Sequence, residues 1–384
     1  MHDPAAFRAL HRARFEAEPA VFVAPGRVNL IGEHTDYAEG FAMPAAIDFA
    51  TLAGVSPRSD GKIAVFSENY GQVRYFDAAE LPAKAAQHWT DYPLGVISIL
   101  AGEGHTIPGF SLSLWGDVPL GSGLSSSAAV EVATALAVTS SIGVNYSGPV
   151  LARLCQRAEN EFVGANSGIM DQFISANGAR DHALLLDCRD LSFKLAPIPA
   201  NVALVIANTM VKHEITGGAY ANRRAEVEAA CAVIARHRPE VKFLRDATMD
   251  DLFLWGTEMT PNSLKRARHV ISENARTVAA AEALMSGDLV ELGRLMAEAH
   301  ASYSKDFEAS CEEADAMVEL AQDLPGLIGA RLTGGGFGGC TINLVEQNQA
   351  ALFVEGLAEA YTGHTGIVPQ MHICHASDGA HRIE

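Results

Sequence analysis

The chain is 384 residues long, with 48% hydrophobic residues, 19% charged residues and a formal net charge of −18. This length exceeds what one hydrophobic core usually supports and predicts two domains, while the composition argues against a disordered chain. The strong negative charge argues against a nucleic-acid partner, because it repels a phosphate backbone.

In chain order, the sequence predicts a mixed α/β protein. Residues 1–20 are expected to contain a short helix, and residues 21–23 a strand that Ala24-Pro25-Gly26 breaks. Short β-branched and aromatic runs predict several strands between about 41 and 115, and residues 128–139 have the composition of a helix. The other expected elements are a helix at 148–163, strands at 183–186 and 202–206, helices at 217–237, 262–285, 288–303 and 311–322, and strands near 340–345 and 367–374. A change of composition near 190–200 predicts domains at 1–195 and 196–384.

The sequence contains no sign of a membrane segment or of export. Its first residues have no apolar signal core, and no stretch approaches 18 uninterrupted apolar residues. The six cysteines are scattered without paired spacing, as is usual in a reducing compartment. We therefore expect a cytoplasmic protein with free thiols.

The strongest candidate for a phosphate site is the run Gly121-Ser122-Gly123-Leu124-Ser125-Ser126-Ser127. Its glycines let the backbone approach a phosphate, and the helix that follows directs its N-terminal amides and dipole toward it. The serines could cap that helix or offer hydroxyls to phosphate or metal. No lysine follows the second glycine, so this is not a P-loop. A Gly/Ser connector before an ordinary capped helix remains an equally good interpretation.

A second glycine-rich run, Gly334-Gly335-Gly336-Phe337-Gly338-Gly339, contains the spacing GxGxxG. A dinucleotide-binding fingerprint should follow a strand and open a helix, but the residues after this run predict a strand. We therefore expect a loop whose backbone lies close to a ligand or to another loop.

Residues 26–37 combine Arg, Asn, Glu, His, Asp and Tyr within twelve positions. A metal site is a poor interpretation, because Glu33 and His34 are adjacent and point to different sides, and no nearby second histidine completes a zinc set. Recognition of a polyol fits better, since carboxylates accept hydroxyl hydrogens in directions that select a sugar's stereochemistry.

Asp171 follows Gly168-Ile169-Met170, and Glu159 precedes it on an expected helix. A carboxylate between apolar residues is costly to bury unless it is paired. Asp171 is therefore either a helix cap or an acid–base group, and the residues alone favour the cap.

Taken in order, these segments resemble the galactokinase family of the GHMP small-molecule kinases. Residues 26–37 resemble the galactokinase signature, residues 119–129 the phosphate loop, and residues 331–340 the third motif of the superfamily. The resemblance extends over roughly residues 21–345. It implies an α/β (α+β), two-domain GHMP kinase fold, with a ribosomal-S5-domain-2-like N-terminal domain, a ferredoxin-like C-terminal domain and the active site in the cleft between them.

The resemblance also implies an activity, the transfer of the γ-phosphate of MgATP to the C1 hydroxyl of D-galactose, with no obligate protein partner. Asp171 matches the catalytic base and Arg27 the arginine beside the transferred phosphate. Ser127 and Glu159 match the Mg²⁺ ligands, and the adenine pocket falls at Ser67 and Trp89. The triphosphate loop is matched by Gly121, Ser122, Gly123, Leu124, Ser125, Ser126 and Ser127. The residues that match the sugar site are Glu33, His34, Thr35, Asp36, Gly168 and Tyr220.

The chain departs from the family pattern at a few positions. Ser167 stands where many galactokinases have Cys, Gly335 where Ala is usual, and Thr216-Gly217-Gly218-Ala219 replaces a more Ser-rich approach to Tyr220. Three alternatives stay open: a GHMP kinase for N-acetylgalactosamine or arabinose, a catalytically silent galactose sensor, and an NAD-dependent dehydrogenase that would rest only on the GxGxxG spacing that begins at Gly334.

Overall fold

The computed structural model describes residues 3–119, 121–212 and 218–384, and over these residues it has the mixed α/β character expected from the sequence. The helices are α1 (Pro4–Phe15), α2 (Asp91–Gly102), α3 (Ser126–Ser141), α4 (Gly148–Arg157), α5 (Met170–Asn177), α6 (Ala219–His237), α7 (Met249–Trp255), α8 (Pro261–Ser286), α9 (Leu289–Ser302), α10 (Glu312–Gln322) and α11 (Ala350–Thr365). The strands are β1 (Ala20–Asn29), β2 (Phe41–Ala42), β3 (Pro44–Pro57), β4 (Lys62–Ser67), β5 (Gln72–Asp77), β6 (Phe110–Gly116), β7 (His182–Asp187), β8 (Phe193–Pro197), β9 (Val202–Lys212), β10 (Leu327–Leu332), β11 (Gly338–Glu346), β12 (Gln370–Cys374) and β13 (His381–Ile383).

The N-terminal half is built on a six-stranded sheet of order β13-β1-β3-β6-β4-β5, in which only β4 and β6 run parallel. Helix α3 packs against β1 and β3 with the fully buried alanines Ala128, Ala129 and Ala133. Such small side chains allow the helix to lie close to the sheet. The start of α3, and with it the loop at 121–125, is thereby held beside the C-terminal part of β1.

The C-terminal half contains a four-stranded antiparallel sheet of order β10-β11-β9-β12. Because side chains alternate across a strand, Leu204 and Ile206 of β9 face one core, whereas Val205 and Ala207 face the other. Helices α8 and α9 cover the first face, and α10 and α11 cover the second. The first core also contains Val28 and other residues of the N-terminal half, so a continuous apolar contact joins the two halves.

The chain ends on the N-terminal sheet, where β13 pairs with β1 through Val21 and Ile383. A smaller antiparallel sheet of order β2-β7-β8 pairs β2, near the start of the chain, with two strands close to the expected domain boundary. The division at residue 195 stays a prediction, and the pairing of β13 shows that the last residues of the chain pack with the first half. No helix within the described ranges is long and apolar enough to cross a membrane.

Most elements expected from the sequence are present, including α1, α3, α6, α8, α9 and α10. The break expected at Ala24-Pro25-Gly26 is wrong, because β1 continues to Asn29 through a β-bulge between Pro25 and Arg27. Helix α2 was not expected within residues 41–115. It is buried on nearly every side and so lacks an amphipathic period. Helix α11 was also not assigned, although its buried residues Phe353, Leu357 and Tyr361 have helical spacing.

Candidate active site

Arg27 enters the site because β1 bulges immediately before it. A Cβ atom at Gly26 would lie 2.7 Å from the carbonyl oxygen of Leu124, so only glycine allows the loop to approach the strand this closely. The Arg27 amide donates a hydrogen bond of 3.0 Å to that same oxygen. The bulge thus brings the loop at 121–125 against the strand that carries Arg27.

Arg27 and Asp171 form a two-pronged ion pair. Nε and Nη2 of Arg27 donate to Oδ1 and Oδ2 of Asp171, each at 2.8 Å, and Nη1 donates to the carbonyl oxygen of Gly123. The arginine side chain is 5% exposed and the aspartate 30%, so the carboxylate is the member of the pair that faces open space. Asp171 lies in the first turn of α5, whose N-cap is Ile169, and the interpretation of Asp171 as the cap is wrong.

Ser125 does not cap α3, contrary to one expectation from the sequence. It occupies the N-cap position in a left-handed conformation, with φ of 60°, and its side chain makes no capping bond. Instead its hydroxyl donates to Oδ2 of Asp171. Ser122 also turns away from open space, because its buried hydroxyl donates to the carbonyl oxygen of Pro119 at 2.7 Å.

The larger of two adjoining cavities has a volume of about 750 Å³. Of the residues expected to bind the nucleotide, those on its wall are Ser67, Trp89, Gly121, Gly123, Leu124, Ser125, Ser126 and Ser127. Tyr70, which the sequence analysis missed, stacks on Trp89 with ring centroids 5.6 Å apart and planes inclined by 12°. A cavity wall that combines an aromatic surface with a glycine-rich helix N-terminus suits a purine nucleotide.

The smaller cavity has a volume of about 230 Å³, and its wall includes Glu33, His34, Asp36, Gly168 and Tyr220. These are five of the six residues expected to bind the sugar. The two cavities share Arg27, Asp171 and Gly335, so they meet at the ion pair.

The sixth expected sugar residue, Thr35, does not line the cavity. Thr35 is fully buried, and its hydroxyl lies 2.7 Å from the carbonyl oxygen of Phe41 and 3.0 Å from that of Gly32, both of which can accept its hydrogen. This side chain closes the turn that presents Glu33 and Asp36. Thr216, expected to help size the pocket, lies outside the described residues.

His34 is a neutral member of an aromatic cluster. Its ring stacks on Phe307 at 4.2 Å and lies 5.2 Å from the ring of Tyr220. The Tyr303 hydroxyl donates to the carbonyl oxygen of Gly334, so Nε2 of His34 donates to Tyr303 and Nδ1 accepts from Tyr37. Burial, followed by the neighbouring His269, lowers the pKa of His34 to about 3. The imidazole therefore stays neutral at physiological pH.

Glu33 is held by groups of the C-terminal half that the sequence analysis did not select. Its Oε1 accepts from Nη1 of Arg331 at 3.2 Å and from the amide of Gly334 at 2.8 Å. Burial raises the pKa of Glu33, and the charge of Arg331 opposes that rise. Arg331 is the first residue of the motif at 331–340, and this motif is the only sequence feature that points to Arg331. No sequence feature points to Tyr303, because it lies on a π-helical turn (Tyr303–Phe307) that is distant in sequence from every motif of the site.

Asp36 accounts for the glycine at position 168. A Cβ atom there would lie 1.7 Å from Oδ2 of Asp36, so any side chain at 168 would displace this carboxylate. Burial, followed by the negative charge of Asp171, raises the pKa of Asp36 to about 6. Gly168 thereby keeps an acceptor of hydroxyl hydrogens in the cavity wall.

Glu159 lies on a π-helical turn (Ala158–Val163) that continues α4, a local irregularity common at functional sites. Its Oε2 accepts from the hydroxyl of Ser167 and from Nε2 of Gln172 at 2.9 Å. Glu159 is outside the walls of both cavities. Its charge nevertheless contributes, after burial, to a raised pKa of Tyr92, which lines the larger one.

The hydroxyl of Ser127 and the carboxylate of Glu159 are oxygen ligands of the kind that magnesium prefers. No group of three or more His, Cys, Asp or Glu side chains that could hold a metal is found in the described part of the chain. Magnesium in kinases is usually held by one or two carboxylates together with substrate phosphates and water, so such a group is not required. Glu131, which shares Gln172 with Glu159, adds a buried Oε1 that has no hydrogen-bond partner.

The glycine-rich run at 334–339 joins β10 to β11 and precedes a strand, as predicted. A Cβ atom at Gly334 would lie 2.9 Å from the carbonyl oxygen of Gly123, and one at Gly336 would lie 2.2 Å from that of Ala309. Gly334 therefore permits backbone-to-backbone packing against the phosphate loop, and Gly336 permits it against the segment at Ala309. The strand–loop–helix geometry of a dinucleotide fingerprint is missing at this position, which removes the support for a dehydrogenase.

Comparisons with known proteins assign the chain to a family. A galactokinase galactose-binding signature matches residues 9–57, and the GHMP kinase N-terminal and C-terminal domains match residues 91–179 and 280–363. A galactokinase of Roseiflexus sp. (strain RS-1) is 42% identical over 384 residues, which is 100% of this chain and 98% of that protein. The chain belongs to the galactokinase family.

Other members of the galactokinase family agree with this assignment. A galactokinase of Chloroflexus aurantiacus is 44% identical over 93% of this chain and 91% of its own length. The crystal structure of Lactococcus lactis galactokinase complexed with galactose superposes with a TM-score of 0.94 and 34% identity, covering 99% of each chain. Methanococcus jannaschii mevalonate kinase, 17% identical with a TM-score of 0.69 over 94% of this chain and 99% of its own, shares the fold.

Membership of the galactokinase family confirms the two-domain GHMP kinase fold and makes the chain an ATP-dependent sugar kinase. The roles of the individual site residues stay predictions.

Proposed function

We propose that this chain transfers the γ-phosphate of ATP to the C1 hydroxyl of D-galactose, giving galactose 1-phosphate and ADP. The observation that carries the proposal is the meeting of the two cavities at Arg27 and Asp171. The larger cavity suits a nucleotide, and the smaller one is of the size of a single sugar ring and is lined by carboxylates. A phosphoryl group can therefore pass from one cavity to the other at the ion pair.

In the smaller cavity, the carboxylates of Glu33 and Asp36 would accept hydroxyl hydrogens of the sugar and so fix its orientation. Asp171 would orient the C1 hydroxyl in line with the γ-phosphate and accept its proton. The transition state of phosphoryl transfer is largely dissociative, so orientation contributes as much as proton abstraction. Arg27 would hold Asp171 in place while its guanidinium faces the transferred phosphate.

In the larger cavity, the backbone amides of the loop and the N-terminus of α3 would hold the phosphate chain. Ser127 and Glu159 would hold Mg²⁺, which when bound neutralises charge on the β- and γ-phosphates. Ser67, Trp89 and Tyr70 would form the adenine pocket.

We also propose that the chain acts in the cytoplasm on small molecules alone, without a nucleic-acid or obligate protein partner. All six cysteines are free thiols, which supports a reducing compartment. The net charge of −18 supports the absence of a nucleic-acid partner.

The test is ADP release from MgATP in a coupled assay with galactose, glucose, N-acetylgalactosamine and arabinose. We expect rapid turnover with galactose alone. Turnover with another sugar would support a sugar kinase, but would show that the pocket around Gly168 and Tyr220 selects a sugar other than galactose. Silence with every sugar, despite binding of ATP and galactose, would favour the sensor instead.

Phosphorylation of galactose is expected to weaken below about pH 6, because the raised pKa of Asp36 lies there. Above that pH the carboxylate is ionised and accepts hydroxyl hydrogens, and below it the carboxyl is protonated and loses acceptor capacity. We expect kcat/KM for galactose to fall about tenfold per pH unit on the acid side. The Asp36→Asn variant should lose the break near pH 6, and ATP binding without sugar should not show it. A flat wild-type profile from pH 5 to 7 would contradict this role.

A further inference from the structure

The wall of the smaller cavity includes a short loop between the π-helical turn and α5. Ala165, Ser167 and Gly168 of this loop line the cavity. The neighbouring Asn166 has a left-handed backbone, with φ of 55°, and its carbonyl oxygen accepts from Nη1 of Arg224 on α6 at 2.8 Å. The loop therefore contacts the proposed sugar pocket on one side and elements of both halves of the chain on the other.

Ser167 joins this loop to the turn that carries Glu159. Its backbone amide donates to Oδ1 of Asn160 at 2.7 Å, and its carbonyl oxygen accepts from Nδ2 of Asn160 at 3.0 Å and from Nε2 of Gln156 at 3.3 Å. Its hydroxyl donates to Oε2 of Glu159 and also lies 3.3 Å from Oδ1 of Asn160, a longer and weaker contact. The bonds of its backbone hold Ser167 against the π-helical turn. Its link to the Glu159 carboxylate is the hydrogen bond that the hydroxyl donates.

The Glu159 carboxylate is oriented from two sides. The residue is 7% exposed, and besides Ser167 its Oε2 accepts from Nε2 of Gln172 at 2.9 Å. Gln172 is fully buried and donates also to Oε2 of Glu131 at 3.0 Å, so it cannot turn freely. One hydrogen bond therefore comes from the rigid core and the other from the wall of the smaller cavity.

We infer that Ser167 is a positioning residue that couples the smaller cavity to Glu159, so that binding of sugar and binding of the metal–nucleotide complex strengthen each other. The inference rests on the function proposed above. A sugar in the cavity restricts the loop and fixes the hydroxyl toward Glu159. A carboxylate that is already oriented then loses less conformational freedom when it binds the metal–nucleotide complex. Coupling of this kind is reciprocal by thermodynamic necessity.

The experiment measures the galactose Kd of the full chain by calorimetry, with and without saturating Mg²⁺ and a non-hydrolysable ATP analogue. The ratio of the two Kd values is the coupling factor. For wild type we expect a factor of about 5 to 150, and for Ser167→Ala a factor at least about fivefold smaller. Because the factor is a ratio of two Kd values of the same variant, a change in the galactose Kd without nucleotide does not enter it. Ser167→Cys should fall in between, because a thiol is a weaker donor than a hydroxyl.

The reciprocal titration separates positioning from a local defect of the sugar pocket. Galactose should tighten binding of the magnesium–analogue complex by the same factor, and Ser167→Ala should lose that effect too. The matched control is Ser141→Ala, which removes an exposed hydroxyl that bonds Val138 at the far end of α3, about 22 Å along the helix from Ser126. It should keep the wild-type factor.

A wild-type factor of one, or a wild-type factor retained in Ser167→Ala, would overturn the inference. Failure of the proposed function has a different signature, because the wild-type chain would then not phosphorylate galactose. Normal turnover together with unaltered coupling would reject only the role of Ser167. Circular dichroism melting of both Ser167 variants establishes that a lost factor does not reflect unfolding.

Discussion

Replacement of Asp171 by asparagine is expected to lower kcat for galactose by about 10²–10⁴-fold, while the affinity for ATP changes by less than about threefold. Asparagine has nearly the same shape but is neutral and accepts a proton poorly. It also replaces one of the two oxygens that Arg27 now grips at 2.8 Å, so the guanidinium loses its fork-like hold. Both effects act at the point where the two cavities meet, and neither acts on the adenine end of the larger cavity.

Single-turnover kinetics with galactose and a nucleotide-binding titration measure these two quantities. A suitable control is Asp187→Asn, because Asp187 is gripped in the same two-pronged way by Arg245 but lies outside the walls of both cavities. The control is expected to lower thermal stability and to leave kcat within about threefold. Retention of more than about a tenth of kcat in Asp171→Asn, a barrier change below about 1.4 kcal/mol, would reject Asp171 as the base.

Arg27→Lys is expected to lower kcat by about a hundredfold or more, which corresponds to about 2.7 kcal/mol of barrier. The arginine uses three nitrogens at once: two hold Asp171 and the third donates to the carbonyl oxygen of Gly123 in the phosphate loop. An ammonium is a compact charge without that fork and cannot span both partners. The variant keeps the positive charge, so a large loss measures geometry and not charge.

Arg245→Lys provides the matched control, since Arg245 also forks an aspartate and lies 4.2 Å over the ring of Phe41. It should lose stability but keep kcat and both KM values. If Arg27→Lys retained kcat within about threefold of wild type, the positive charge alone would account for the effect of Arg27 on kcat. The planar, two-pronged geometry of the guanidinium would then not be needed. A double variant with Asp171→Asn should lose less than the product of the two single effects, because the two residues act as a unit.

Local patterns were sufficient for much of the fold. The composition at 128–139 predicted α3, and the amphipathic spacing of α8, α9 and α10 predicted these helices to within a few residues. Helix α2 was not predicted, because burial on nearly all sides removes the polar face that makes a helix recognisable in sequence. The continuation of β1 past Pro25 was not predicted for a different reason: a β-bulge accommodates residues that would otherwise end a strand.

The candidate site was predictable as a set of residues but not as an arrangement. The run at 26–37 indicated polyol recognition, and its resemblance to the galactokinase signature selected Glu33, His34, Thr35 and Asp36. Thr35 belongs to the same run, yet its hydroxyl bonds the backbone of its own turn. Neighbours in sequence alternate in direction, so a run of polar residues cannot reveal which members face a cavity.

The sequence by itself indicated the class of chemistry, because residues 26–37, 119–129 and 331–340 in this order resemble the galactokinase family, and a glycine-rich loop before a helix can bind phosphate through local backbone geometry. Tertiary structure alone decided which groups meet. Arg27, Ser125 and Asp171 lie on three separate elements, and they contact one another only because β1, α3 and α5 pack together. The same holds for Arg331 beside Glu33, which lie 298 positions apart in the chain. Local propensity governs the backbone of each segment, whereas the distance between segments is set by the packing of the core between them.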